Sequence, residues 1–220
     1  MKIYSYVIND DRGFKPNPFW DFCTLAIDQA LIRQIIQIGD WVVGLKETSG
    51  KFEDHLLLFA MQVTEKLTYN EYWSNPRFLT KRPDFAVNEE IFRVGDNLYE
   101  PSGDGFIQHY SLHSRDYFDS DESWQKQKHD DIQGKFVLVS GRNHYYYFGR
   151  DAVKLPTLEM LDLLYCDVGH KCIADPDVPQ EFLDFLEEFK KQGKIGFIAP
   201  PSNWPKDDES YIQCILKDDK

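Results

Sequence analysis

The chain has 220 residues, of which 42% are hydrophobic and 28% charged, with a net charge of −12 at neutral pH. That length supports one large domain or a domain with an appendage, and a chain of this size buries enough surface to fold without a disulfide or metal staple. The charge excludes a general polyanion binder, because such binding is driven by Lys and Arg neutralising phosphate; any nucleic-acid contact must be local, or the ligand small.

In chain order, residues 3–8 predict a strand, being rich in β-branched and aromatic side chains. The Gly and Pro residues of "NDDRGFKPNPFW" mark an irregular loop. Residues 23–27 predict a short strand. Residues 30–37 predict a short helix with Leu31, Ile35 and Ile38 at helical spacing, ended by Gly39-Asp40. Residues 41–45 and 56–65 predict two strands joined by the polar loop "KETSGKFEDH". Residues 68–88 read as loop or short helix. Phe92-Arg93-Val94 precedes a second Gly-Asp turn, at Gly95-Asp96. Residues 102–133 form a long polar stretch whose "DSDESWQKQKHDD" section reads as solvated, and a loop of that length is functional or disordered. Residues 136–139 and 145–148 flank "SGRNH" as a hairpin.

After Pro156 the character changes. Residues 158–165 predict a helix, and residues 178–192 a second, with Asp177 and Gln180 as a capping box. Its stripe is Phe182, Phe185, Leu186 and Phe189, and Gly193 closes it. "IGFIAPP" and "YIQCIL" predict two further strands. The expected fold is α+β, with a barrel-like sheet in residues 1–156 and an α+β extension in residues 157–220 packed on the same domain. The four cysteines, Cys23, Cys166, Cys172 and Cys214, are irregularly spaced. "MKIYSYVIND" lacks an apolar leader core, and no run nears the roughly 18 apolar residues of a membrane span. A reduced, cytoplasmic protein without membrane contact is expected.

Three stretches carry candidate chemistry. "NPFWDFCTLA" gathers Asn17, Trp20, Asp21, Cys23 and Thr24. Cys23 is a nucleophile if a nearby base lowers its pKa, and otherwise a buried, inert thiol. "YNEYWSNPRFLTKRPDF" interleaves Tyr69, Tyr72, Trp73 and Phe78 with Arg77, Lys81 and Arg82, a local basic and aromatic patch in an acidic chain. Such rings stack bases while the cations hold phosphate; the alternative is a loop packing its rings on the sheet. "RVGDNLYEP" holds Asp96, Asn97 and Tyr99. Asp and Asn read the edge of a base, or build a turn, and Asp40 carries the same two readings. "HYSLH" places His109 and His113 four apart without a metalloprotease Glu, and "CDVGHKC" gathers Cys166, His170 and Cys172 without a fourth ligand. No metal and no cofactor is expected. No phosphate-binding glycine loop and no serine nucleophile elbow is present.

"NPFWDFCTLAIDQALIRQIIQIGDWVVGL", "LLFAMQVTEKLTYNEYWSNPRF" and "RVGDNLYEP" resemble the nucleotide modification-associated domain family, type two, over about residues 1–200. Its members are bacterial and phage proteins associated with modified DNA bases. At the level of fold, the chain is also similar to PUA-like domains of the EVE, ASCH and YTH branches. The matching positions are Gly39, Asp40, Val42 and Gly44, then Ala60, Val63 and residues 69–73. That similarity implies a pocket holding a modified base, with Trp20, Trp41 and Trp73 as walls and Asn17, Thr24, Asp96 and Asn97 reading its edge. The 102–133 insertion and the helical end depart from that pattern.

The leading expectation is recognition of a modified nucleobase, as a free nucleotide or flipped from DNA, with Asp40, Tyr72, Arg77 and Tyr99 also contributing. A second is an enzyme of base hypermodification using Cys23, with His109, Asp21 or Asp96 carrying the proton. A third is an acidic module, including residues 116–131, that docks a basic protein.

Overall fold

The structure, a computed structural model, describes residues 1–115, 120–174 and 177–212. In chain order the strands are β1 (Ile3–Ile8), β2 (Phe22–Leu25), β3 (Trp41–Lys46), β4 (Leu56–Gln62), β5 (Glu65–Thr68), β6 (Tyr99–Ser102), β7 (Gly105–Gln108), β8 (Phe136–Gly141), β9 (Tyr145–Tyr147), β10 (Lys171–Ile173) and β11 (Gly196–Phe197). The helices are α1 (Ala30–Ile35), α2 (Tyr69–Ser74), α3 (Glu90–Arg93), α4 (Leu112–Arg115), α5 (Asp121–Ile132), α6 (Leu158–Leu164) and α7 (Asp177–Lys191).

Two sheets lie between three apolar layers. The larger is six-stranded and mixed, in the order β10-β1-β3-β4-β9-β11, and the smaller is β2-β8-β5. Alternation along a strand assigns its side chains to opposite layers. In β3, Trp41, Val43 and Leu45 face the layer covered by α6 and α7. Val42 faces the other way, joining Tyr4, Tyr6 and Ile8 of β1 and Cys23, Leu25 and Leu138 of the smaller sheet. Val137 and Val139 of β8 point to a third layer, with Tyr69, Tyr72, Phe78, Val94 and Leu98. Gly44 is required in β3 because the ring of its cross-strand partner Phe59 occupies the space a Cβ would need.

The sheets are joined by two bent strands. After β4 the chain turns at Val63 and Thr64, where Thr64 N donates to Val139 O at 2.9 Å, and continues as β5 in the smaller sheet. After β8 it turns through a 3₁₀ segment, Arg142–His144, and continues as β9 in the larger sheet. Strands that switch sheets at a corner give a barrel-like outline. The barrel-like sheet expected from the sequence does not close. Among the described residues the larger sheet ends at β10 and β11 and the smaller at β2 and β5, so the pairing stays open. For the same reason residues 136–148 are not a hairpin: β8 pairs with β2 and β5, whereas β9 pairs with β4 and β11. The α+β class stands. Residues beyond 156 supply both edge strands of the larger sheet, β10 beside β1 and β11 beside β9.

Residues 102–133 also differ from expectation. They complete a hairpin, β6-β7, and then form α4 and the 12-residue helix α5, whose N-cap Ser120 accepts from Ser123 N at 3.1 Å. No apolar stripe announces α5, because the face it buries is polar, Gln127 and Asp131. In α1 the predicted stripe points outward: Leu31, Ile35 and Ile38 are 52%, 43% and 64% exposed, while Ile32, Arg33 and Ile36 are buried. "ALIRQIIQI" holds two stripes of helical spacing, and the one containing Arg33 goes inside. In α7 the predicted stripe is correct. Phe182 and Leu186 are fully buried, each worth about 1.5–3 kcal/mol, and Phe185 and Phe189 pack beside them. Gly193 follows with φ 74°, a conformation glycine adopts without Cβ strain. The side-chain cap expected from Asp177, and most of "YIQCIL" with Cys214, lie outside what the structure describes. No helix among the described residues is long and apolar enough to cross a membrane.

Candidate functional site

Several of the predicted base readers do converge, but on one another. Asn17 lies in the loop bridged to Thr24 of β2, Tyr72 on α2, Lys81 at the end of a 3₁₀ segment, Pro76–Lys81, and Asp96 and Asn97 just after α3. All six are buried. Asp96 accepts from Tyr72 Oη at 2.6 Å and Thr24 Oγ1 at 2.8 Å. Lys81 Nζ donates to Asn17 O, Asn17 Oδ1 and Phe22 O at 2.7–2.8 Å. Asn17 Nδ2 donates to Val94 O at 2.9 Å, and Asn97 Nδ2 to Phe78 O at 3.2 Å. Burial pushes the Asp96 carboxyl above its ordinary 3.8, although the Lys81 charge and the Tyr72 and Thr24 hydroxyls pull against it. A network this fully bonded is a latch between the 17–24 segment and the 72–97 segment, with little capacity left to read a ligand.

Cys23 lies beside that latch, fully buried, 3.8 Å from Met61 Sδ. Burial raises its thiol far above 9.0, so the thiolate needed for attack is suppressed. His109 is elsewhere: its Nε2 pairs with Glu100 Oε2 at 2.7 Å and its ring stacks on Trp73, centroids 5.1 Å apart. Of the proposed proton carriers, His109 is held away from Cys23 and Asp21 faces Arg142, whereas Asp96 lies near the thiol but is bonded to Tyr72 and Thr24.

The aromatic walls are also separate. Trp41 is in the α6–α7 layer, edge-on to Phe182 at 6.4 Å. Trp20 is in the outer layer beside Phe92, at a left-handed φ of 58°. Trp73 lies against Arg82, whose guanidinium sits 3.8 Å over the ring. These three indoles line no common slit. The basic patch is likewise engaged internally: Arg77 makes two bonds to Glu65 at 2.7–2.8 Å, Lys81 is in the latch, and Arg82 donates to Trp73 O at 2.7 Å. Asp40 closes a turn, accepting from Lys2 N at 2.8 Å and Gln37 N at 3.1 Å.

Tyr99 leads to a second buried network, and this one meets a cleft. Tyr99 Oη donates to Asp131 Oδ2 at 2.5 Å, and His113 Nε2 lies 3.2 Å from the same oxygen. Asp28 N donates to Asp131 Oδ1 at 2.8 Å. Arg33, without exposed surface, donates to Asp28 O, Tyr69 Oη, Phe136 O and Asp131 O at 2.6–2.9 Å. Above the His113–Asp131 pair opens a cleft of about 180 Å³, lined by Lys15, Asp28, Gln29, Ala30, His113, Gln127, Asp130 and Asp131. Asp28 and Gln29 hold left-handed φ angles of 58° and 45°. Strained non-glycine backbone of this kind persists only where surrounding bonds fix it, and Arg33 and Asp131 supply those bonds. A larger hollow of about 510 Å³ lies between residues 88–89 and 205–210, but Glu89, Asp207, Asp208 and Glu209 wall it. Such a surface repels phosphate and offers a ring little to stack on.

Asp131 gives a pH test of this site. Burial alone would raise its pKa, but His113, Tyr99 Oη and Asp28 N outweigh burial and leave it below 3.8. A depressed carboxylate stabilises the fold above its unfolded pKa, and that contribution is lost as pH falls through the folded value. In acid titrations followed by circular dichroism, Asp131→Asn is therefore expected to lose stability at neutral pH and to show a shallower acid dependence below about pH 4 than the unaltered chain. Parallel acid curves would show that Asp131 holds no such role.

His113, Asp131, Asp28, Gln127 and Arg33 were outside the predicted ligand set. For His113 the sequence suggests only a metal ligand. Two signals mark the helix they depend on: Ser120 followed by Asp121 and Glu122, a capped and acid-led first turn, and the four-residue spacing of Gln127 and Asp131.

The fold and cleft define an α+β protein with a buried imidazole–carboxylate pair under a small polar opening. The chain belongs to the nucleotide modification associated domain 2 family, whose description matches residues 1–208. That name gives the family a role in nucleotide modification. No curated protein and no solved structure matches the chain.

Proposed function

We propose that the protein recognises a modified nucleobase, free or within DNA, by admitting the base to the cleft above His113 and Asp131. The observation carrying this reading is that cleft. It joins a fixed, buried polar floor, in which Gln127 is bonded to Gln108 and His113 O, to a partly exposed rim of Gln29, Asp130 and the Lys15–Asp28 ion pair, which offers both donors and acceptors. At about 180 Å³ it is below the roughly 300 Å³ at the lower end of ligand pockets, so it suits one flat heterocycle and leaves sugar and phosphate outside. The family's role in nucleotide modification supports a base as the heterocycle. The PUA-like pattern from Gly39 through β3 supports base capture as the mode. Bacterial or phage DNA carrying modified bases is the expected setting. The basic side chains at residues 77–82 are already paired, so binding draws on the cleft more than on phosphate contacts and falls only modestly with salt.

Calorimetric titration with modified and plain nucleosides tests this. Binding is expected to favour a modified nucleoside, and His113→Gln to weaken it by about tenfold, roughly 1.4 kcal/mol. Equal affinity for modified and plain nucleosides, or an unaffected His113→Gln, overturns the reading.

A second reading is favoured by the pair itself. An imidazole held by a buried carboxylate is the arrangement used to move a proton, and it places His113, not Cys23 or His109, at the reacting base. Turnover of a nucleoside that His113→Gln abolishes while binding persists would establish an enzyme.

A further inference from the structure

A separate cleft, of about 270 Å³, opens between the loop before β4 and the segment leading into α6. Glu53, Asp54 and His55 line one side, and Lys154, Leu155, Pro156, Thr157, Leu158 and Leu161 the other. His55 is only 5% exposed, and its ring lies edge-on to Tyr165 at 4.8 Å. Its Nδ1 faces two backbone carbonyls, Phe52 O at 2.9 Å and Lys51 O at 3.1 Å. Carbonyls only accept, so Nδ1 carries the proton and Nε2 presents a lone pair. Nε2 has no hydrogen-bond partner among the described residues, nor is it among the fully enclosed unsatisfied atoms. His55 is a lining residue of the cleft, so Nε2 is the unbonded polar atom this ring has to offer a ligand there. A buried ring held by two carbonyls beside an open space is costly to hold and has no structural partner there.

The rest of the lining is similarly unengaged. Neither Glu53 nor Lys154 has an ion-pair or hydrogen-bond partner among the described residues, whereas Asp54 Oδ2 already accepts from Ser49 Oγ at 2.6 Å. Leu158, 59% exposed, completes an apolar wall with Leu155 and Leu161. Lys154, Glu53 and the His55 lone pair are thus the unengaged polar groups around an aliphatic surface, beside the Ser49-bonded Asp54 carboxylate. A ligand of single charge leaves one sign facing its own kind. A ligand carrying both signs satisfies the set.

We propose that this cleft binds a small zwitterion with an aliphatic side chain, of the class of a free α-amino acid. Its ammonium is held by Glu53 and the His55 Nε2 lone pair, its carboxylate by Lys154, and its side chain by Leu155, Leu158 and Leu161. This site is independent of the base cleft, and its failure leaves that reading untouched.

L-leucine is the probe, titrated calorimetrically into the full chain. Two analogues each lack one charge: 4-methylpentanoate has no ammonium, and 3-methylbutylamine no carboxylate. Saturable leucine binding is expected, with both analogues at least about tenfold weaker. His55→Asn keeps a donor for the two carbonyls and removes the ring nitrogen from the cleft; Lys154→Met alters an exposed side chain and leaves the fold intact. Each is expected to weaken leucine by about tenfold, with the thermal midpoint of Lys154→Met unchanged. Absence of leucine binding, equal binding of either analogue, or unchanged affinity in Lys154→Met overturns the proposal.

Discussion

Lys81→Met is expected to lower stability by about 3–5 kcal/mol, the range found when one member of a buried charge pair is removed. The substitution strips three acceptors, Asn17 O, Asn17 Oδ1 and Phe22 O, of their shared donor. It also leaves the Asp96 carboxylate, itself without exposed surface, lacking the cation that opposes its desolvation. The sign with pH follows. Asp96 has a raised folded pKa, so its contribution is most favourable below 3.8 and is lost as pH rises through the folded value. Without Lys81 that pKa rises further, and the deficit of the variant is larger at pH 7 than at pH 5. Adding Asp96→Asn restores part of the loss, because an uncharged latch no longer carries an unbalanced ion. Urea unfolding at the two pH values measures all of this. A loss below about 1 kcal/mol, a value ordinary for an exposed ion pair, would show that the latch does not hold the two segments.

Arg33→Met should cost a similar amount, about 3–5 kcal/mol, and should also abolish nucleoside binding. The guanidinium is the hub of the network under the base cleft, holding four oxygens from four separate elements. Leaving buried acceptors unsatisfied costs about 1–3 kcal/mol each before relaxation. The left-handed backbone at Asp28 and Gln29 loses its principal restraint. Arg33→Lys rescues little, since a compact ammonium cannot reproduce a planar fork of five donors. Gly134→Ala gives an independent check: a Cβ there collides with the Arg33 guanidinium. If Arg33→Met unfolds at the same urea concentration as the unaltered chain and still binds, the cleft does not depend on this hub.

Much of the frame was legible in the sequence because its strands and its last long helix bury apolar faces, and periodicity reports apolar burial. β1, β3, α6 and α7 follow their patterns within a residue or two. What periodicity missed was buried through polarity. α5 hides Gln127 and Asp131, α1 hides Arg33, and neither face registers as hydrophobic. The same cause misplaced the site. The PUA-like resemblance groups Asn17, Thr24, Asp96 and Asn97 as edge readers, and they do meet, joined by Tyr72 from another stretch, but sequence cannot distinguish a set that bonds to itself from one held open for a ligand. The PUA-like resemblance groups the three tryptophans as walls of one pocket, while strand parity sends Trp41 to a different layer from Trp20. The open edges of the sheets depend on long-range pairing, which no local signal encodes.

The first loop of the chain is fastened by its last described segment. Asp11 Oδ2 accepts from Ser202 N at 2.7 Å and from Ser202 Oγ at 2.9 Å, and Asp11 Oδ1 accepts from Tyr147 Oη. Trp204 Nε1 donates to Arg12 O at 2.9 Å, and the indole stacks on Phe19. Ser202 and Trp204 are translated 191 and 192 residues after the partners they hold, so during synthesis residues 10–19 stay unsecured by them until that stretch has emerged. Contacts of such wide separation slow folding and prolong exposure to proteases. A ribosome-stalled chain ending before residue 196 should therefore be cleaved readily within its first thirty residues, where the released protein resists.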